Sequence, residues 1–159
     1  MVSAQLRSLG LRIPFLGTDG LKTSFFLGGG DENGEAFHTH SGGDFRRLPK
    51  AARFREMYVA RYPEDSTYSP EAYDAVMLIA DALQRAGEPT RAGVLAAFRA
   101  QKRYAGVTGD IVFDEDGERL GSPVSFYQVK MRDGDRVMEY LGTTEELAES
   151  NASLATTAV

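Results

Sequence analysis

The chain has 159 residues, 42% of them hydrophobic and 26% charged, which is the balance of an ordinary globular domain large enough to bury a core. Its net charge of -5 argues against affinity drawn from phosphates or an anionic membrane surface, so nucleic acid is not an expected partner, and no stretch approaches roughly 18 uninterrupted apolar residues, so no membrane insertion is expected. With no cysteine and only His38 and His40, the chain cannot build disulfides, thiolate metal sites, a cysteine nucleophile or a three-imidazole metal centre.

In chain order, the opening MVSAQLRSLG has no apolar h-region and no small-residue cleavage site, so no export signal is read in this chain. Val2 to Leu9 reads as the last turns of a helix stopped by Gly10. Ile13 to Leu16 is a short strand, Gly17-Thr18-Asp19-Gly20 a turn, and Leu21 to Leu27 a brief helix broken by Gly28-Gly29-Gly30. Glu35 to His40 follows as a second strand, parallel to the first. Pro49 to Tyr62 places Phe54, Met57 and Tyr58 at helical spacing and ends at Pro63. Ser69-Pro70-Glu71 carries a cap, a first-turn proline and a first-turn acid, and Gly87 supplies the stop, so a helix is expected between them. Its apolar residues Ala72, Val76, Ile79, Ala80 and Leu83 are expected to face inward, with Met77 and Leu78 widening that side and Glu71, Asp74, Asp81 and Arg85 outward, leaving it largely buried. Thr90 caps a third helix through Ala100, with Val94, Leu95 and Phe98 inside. From Gly109 the period becomes two, with turns at Asp116-Gly117 and Asp133-Gly134 and strands at Val124 to Met131 and Val137 to Tyr140. A short helix from Thr144 to Glu149 and a flexible tail close the chain. The expected class is α/β with a β-rich C-terminal end, divided into residues 1–142 and a terminal piece 143–159.

Few residues carry a chemical signal. His38-Thr39-His40 sets two imidazoles on one strand face, a metal-site spacing, but the chain holds no third histidine and Asp44 lies beyond a Ser-Gly-Gly linker. No metal is expected. Asp114-Glu115-Asp116-Gly117 falls short of a calcium loop and suits a hairpin turn. The triple glycine is followed by Asp31 and Glu32, whose charges would repel a phosphate, and Ser3, Ser24 and Ser41 show no nucleophile elbow. No catalytic residue and no cofactor emerge. What remains is Asp19, at a strand-to-helix turn where open α/β sheets bind ligands. There it either meets a cationic ammonium or caps the helix beginning at Gly20 or Leu21. Tyr68, just before the Ser69 cap, either walls an apolar ligand or packs.

Four segments read together: LRSLGLRIPFLGTDGLKT at 6–23, YSPEAYDAVMLIADALQRAG at 68–87, YAGVTGDIVFDEDGER at 104–119 and PVSFYQVKMRDG at 123–134. In order and character they resemble the C-terminal part of the type I periplasmic binding proteins, specifically the branched-chain amino acid (leucine, isoleucine, valine) receptors of ABC transporters. The resemblance covers most of residues 1–140. It implies an incomplete α/β fold of that type, non-enzymatic, periplasmic or extracellular. A small amino-acid-like ligand and, in the full-length protein, an ABC-transporter permease would be its partners. It further implies that Asp19, with Thr18 beside it, meets the ligand's ammonium and that Tyr68, or less readily Tyr73, lines the cleft. The His-Thr-His run departs from the family, and the family's N-terminal half has no counterpart here. A small metal-assisted α/β hydrolase using acids near Asp19 and the two histidines, or a sensory module on the same fold, are the alternatives.

Overall fold

Four strands form one mixed sheet, ordered β1 (Phe15–Gly17), β2 (Ala36–Ser41), β5 (Val124–Arg132) and β6 (Asp135–Thr143). The computed structural model describes residues 5–6, 8–11, 13–21, 36–62 and 68–157. The expected Leu21 to Leu27 helix beyond its first residue, the triple glycine and Pro63 lie outside the described residues, as do Ser3, Ser24, Asp31 and Glu32. As expected, β1 and β2 run parallel, with Phe15 opposite Ala36 and Gly17 opposite His38. β2 pairs antiparallel with β5, His38 facing Tyr127 and His40 facing Ser125. Because strand side chains alternate between faces, these pairs lie on one side of the sheet, and that side is buried. Ala36, His38 and His40 are buried on β2, as are Ser125, Tyr127 and Val129 on β5. Phe15, Leu21 and Met138 close over Ala36 and Val129. The β5–β6 turn is the Asp133-Gly134 pair, both with positive φ (53° and 90°), as a two-residue hairpin requires.

Between the second and third of these strands lie the helices α1 (Ala52–Arg61), α2 (Ser69–Arg85) and α3 (Arg91–Ala100), then a hairpin of β3 (Tyr104–Gly106) and β4 (Gly109–Ile111). A single 3-10 turn, Pro49–Ala51, precedes α1. By contact the chain divides into two compact units, residues 1–44 with 123–159, and residues 45–122.

Three sequence expectations are corrected. Tyr68, not Ser69, occupies the N-cap position of α2, and Ser69 and Pro70 are buried inside the helix. Helix α2 is not largely buried: Asp74, expected outward, is buried with Leu78 and Ala82 along its middle, while Val76, Ile79 and Leu83, expected inward, are exposed; Leu78 inside and Arg85 outside are as expected. The C-terminal helix α4 runs Thr144–Thr157, so the chain's described end is helical rather than a short helix and tail. No glycine or proline interrupts residues 144–157, so nothing stops propagation. Its start is a reciprocal cap, the Thr143 N–H donating to Glu146 Oε2 (2.9 Å) and the Glu146 N–H to Thr143 Oγ1 (3.2 Å).

Candidate functional site

β1 ends at Gly17, and the chain leaves the sheet through Thr18 into a 3-10 turn, Asp19–Leu21, closed by the Leu21 N–H donating to Thr18 O at 3.0 Å. Asp19 is therefore the first residue of that turn rather than the cap before it, and the capping carbonyl belongs to Thr18. Thr18 is exposed and Asp19 half-buried, two residues past the carboxyl end of a parallel strand. That is where open α/β sheets present groups to ligands.

Tyr68 belongs to the other unit. Its carbonyl accepts the Ala72 N–H at 2.9 Å, and its side chain is exposed, at 44%. Tyr73, one turn on, packs its ring against Phe54, with centroids 4.9 Å apart and the planes tilted by 44°. The structure thus keeps Thr18 and Asp19 together at one strand end and places the two tyrosines on the helical unit.

The histidines are core residues of the sheet. His38 and His40 are essentially inaccessible, and the His38 imidazole stacks nearly parallel on Tyr127, 4.9 Å between centroids and 7° between planes. Tyr140 meets the same tyrosine edge-on at 5.7 Å. Among the described residues no three histidine, aspartate or glutamate side chains gather in a way that could hold a metal ion. Asp114 sits in a turn as expected, its Oδ1 accepting from the Asp116 and Glu118 N–H groups at 3.0 and 2.8 Å.

Asp74 is a residue whose role the sequence pattern concealed. It is 2% exposed, and its carboxylate accepts the Val107 N–H (2.8 Å), the Thr108 N–H (2.9 Å) and the Thr108 hydroxyl (2.7 Å). A buried carboxylate is tolerated when donors saturate it, and here it fixes the β3–β4 turn onto α2. The signal available in sequence was an acid within the otherwise apolar AYDAVMLIA run, ahead of the Gly106-Val107-Thr108-Gly109 turn. Burial, followed by the negative charges of Asp74 and Asp81, pushes the neighbouring Tyr104 phenol up from its ordinary value. Beside Asp74 a groove of about 320 Å³ is walled by Ala75, Leu78, Ile79, Phe98 and Ile111.

A sequence model of the family described as periplasmic binding protein matches residues 3–135. Among solved structures, the leucine binding protein LivK of Thermotoga maritima MSB8 is 27% identical, with a TM-score of 0.73, over 91% of this chain and 41% of that one. The substrate binding protein LivJ of the branched-chain amino acid transporter of Streptococcus pneumoniae, solved with isoleucine, is 25% identical, with a TM-score of 0.65, over 89% and 40%. A solute binding protein of an R. palustris ABC transporter, solved with 4-hydroxybenzoate, shares the fold at 18% identity, with a TM-score of 0.64, over 89% and 39%. No curated protein matches the chain. The chain spans about two-fifths of the length of these structures. Matched over 133 of its 159 residues (3 to 135), the chain belongs to the periplasmic binding protein family, non-enzymatic solute-binding proteins whose α/β fold it carries in part.

Proposed function

We propose that this chain supplies part of the ligand site of a substrate-binding protein feeding an ABC importer, and that the ligand is an amino acid of the branched-chain type. Asp19 pairs with the ligand's ammonium, Thr18 stands beside it, and Tyr68 is an aromatic contact of the cleft. The observation that carries this is Asp19 itself: a half-buried acid just past the end of parallel strand β1, in a chain 27% identical to a protein named for leucine binding. A carboxylate in that position attracts a cation, and a branched-chain amino acid presents one. The proposed setting is the periplasm or cell exterior, with the transporter's permease as partner of the whole protein.

The chain alone should bind leucine, isoleucine or valine only at about millimolar affinity or weaker, near 4 kcal/mol, since it lacks most of the relatives' length. The role of Asp19 is therefore tested in a fusion that joins this chain to the part of Thermotoga LivK it does not match. There Asp19→Asn should lower leucine affinity about tenfold or more, because breaking one side of a desolvated ion pair costs roughly 2–5 kcal/mol. The melting temperature should not move. Unaltered leucine affinity would remove Asp19 from the site.

A further inference from the structure

The chain has two asparagines, and their neighbours differ. Asn33 precedes Gly34-Glu35, whereas Asn151-Ala152-Ser153 is the Asn-x-Ser triplet of an N-glycosylation acceptor, with Glu149 two residues ahead of it. Asn151 is exposed on α4, which lies outside the residues 3–135 matched to the family. The two ends of that helix are built differently. Its first turn is tied to the sheet by the reciprocal cap of Thr143 and Glu146, by the Tyr140 hydroxyl donating to Glu146 Oε2, and by the Thr144 hydroxyl donating to the Val124 carbonyl at 3.3 Å. Around Asn151 the sequence turns to weak helix formers, Ser150, Asn151, Ser153, Thr156 and Thr157. The Ser150 hydroxyl donates to the Leu147 carbonyl at 3.0 Å, a side-chain bond that competes with the helix's own ladder. Helices of about 12–15 residues are marginal without tertiary support, so the distal turns of this 14-residue helix open at small cost.

We infer that Asn151 is the acceptor of an N-linked glycan, transferred from a lipid-diphosphate oligosaccharide by a membrane-bound oligosaccharyltransferase. The inference rests on the periplasmic or exterior setting proposed above, where such a transferase meets exported chains, and goes beyond the ligand reading. In the transfer a bond forms between Asn151 Nδ2 and C1 of the first sugar, and the bond from C1 to the diphosphate oxygen breaks. The lipid diphosphate leaves with the electron pair of that bond, and one Nδ2 proton passes to a base of the transferase. The acceptor is read unwound, so the weak distal end of α4 suits it and the capped first turn would not. The Ser153 hydroxyl, two residues on, is the hydrogen-bonding group the triplet requires. Ala152 leaves the backbone free where proline would lock it, and Glu149 offers a carboxylate to a cationic enzyme surface. A bulky hydrated glycan needs open space, which an exposed asparagine on a helix beyond the family match has.

The purified chain would be incubated with a purified bacterial oligosaccharyltransferase and a lipid-diphosphate oligosaccharide, in a mixture that glycosylates a standard acceptor peptide. The chain should gain the mass of a single glycan, and peptide mapping should place it on Asn151. Asn151→Gln and Ser153→Ala should each lose the gain and Ser153→Thr should keep it. Circular dichroism should not distinguish these variants from the parent, because Asn151 is exposed. A synthetic peptide of residues 147–157 would be run beside the chain. Absence of a gain on the chain would overturn the inference, either with the peptide glycosylated, because α4 then keeps its acceptor closed, or with the peptide unmodified, because the triplet is then no acceptor. A gain that survives Ser153→Ala, or that maps to another residue, would overturn it too. Failure of Asp19→Asn to weaken leucine binding would leave each of these outcomes unchanged, so the two proposals fail separately.

Discussion

The two units of this chain solve the same problem with different chemistry. Residues 1–44 with 123–159 are organised by strand pairing, and the buried side of their sheet is a row of close-packed rings and small groups: Ala36, His38 and His40 against Ser125, Tyr127 and Val129. Residues 45–122 are organised by polar anchors. One carboxylate, Asp74, holds the β3–β4 turn, one guanidinium, Arg85, ties α2 to α3, and another carboxylate, Asp110, draws in Lys50 and Arg103. A sheet buries apolar area within itself as soon as its register is set. The helices share no backbone pairing of that kind, and around the buried Leu78, Ala82 and Ile111 they are fastened to one another and to the hairpin by side chains.

The largest expected effect lies on the sheet side. Tyr127 is wholly buried between the rings of His38 and Tyr140, so Tyr127→Ala removes a stacked ring and an edge contact and leaves a cavity. A loss of about 3–5 kcal/mol in urea unfolding is expected, the range for deleting a large aromatic from a core. Amide exchange should quicken along Val124–Arg132. If the loss is below about 1 kcal/mol, the sheet is not held by this packing and the contrast between the units collapses.

On the helical side the corresponding change is Asp74→Ala, which strips three hydrogen bonds from the β3–β4 turn. Bonds to a charged acceptor contribute about 1.5–3 kcal/mol each and are not additive, so a loss of about 3 kcal/mol is expected. Asp74→Asn should recover only part of it, because the amide nitrogen would face at least one N–H donor, that of Val107 when the oxygen is kept toward Thr108. Gly106→Ala should act on the same contact from the other side, since a Cβ there would run into both carboxylate oxygens of Asp74. Amide exchange should quicken at Tyr104–Ile111 and stay unchanged along Val124–Arg132. Equal acceleration in both stretches would show that the units do not differ in what holds them.

Much of this organisation is written in the sequence, but unevenly. The parallel pairing of β1 with β2, the Asp133-Gly134 hairpin and the Thr90 cap, whose hydroxyl accepts the Gly93 N–H at 3.1 Å, follow from local patterns that need no distant partner. The orientation of α2 does not. Periodicity shows that Ala72, Val76, Ile79 and Leu83 share a side, but whether that side is covered depends on material elsewhere, and in this chain it is not covered. The shift of the α2 cap from Ser69 to Tyr68 is the one-residue uncertainty of any helix end. The length of α4 was concealed by polar composition, although Thr143 and Glu146 already spelled its reciprocal cap. The histidines read correctly as strand residues, and their burial against Tyr127 required the register of β5, which no local pattern supplies. Of the candidate site, the strand-end position of Asp19 was legible, because a short apolar strand followed by Thr-Asp-Gly is a local signal; Tyr68, an aromatic at a helix start, carries no comparable one.

The smallest expected effect belongs to an exposed anchor of the helical unit. Asp110 on β4 is bonded by Lys50 (3.0 Å), from the turn before α1, and by Arg103, just ahead of β3. Hydrogen bonds from Lys50 and then Arg103 hold its carboxyl below the usual carboxylate value. A carboxyl whose folded value is depressed contributes stability above its unfolded value and loses it as pH falls through the folded one. The stabilising effect of Asp110 should therefore be complete near neutrality and fade through the acidic range. Asp110→Asn should lower the melting temperature slightly at pH 7, and the gap between variant and parent should narrow as the pH falls below the ordinary carboxylate range. Because the group is open to solvent, about 0.5 M salt should narrow the neutral gap as well. A gap independent of both pH and salt would mean that Asp110 acts through the backbone geometry of β4 and not through its charge, and the helical unit would then depend on one fewer ionic fastening than the sheet comparison assigns it.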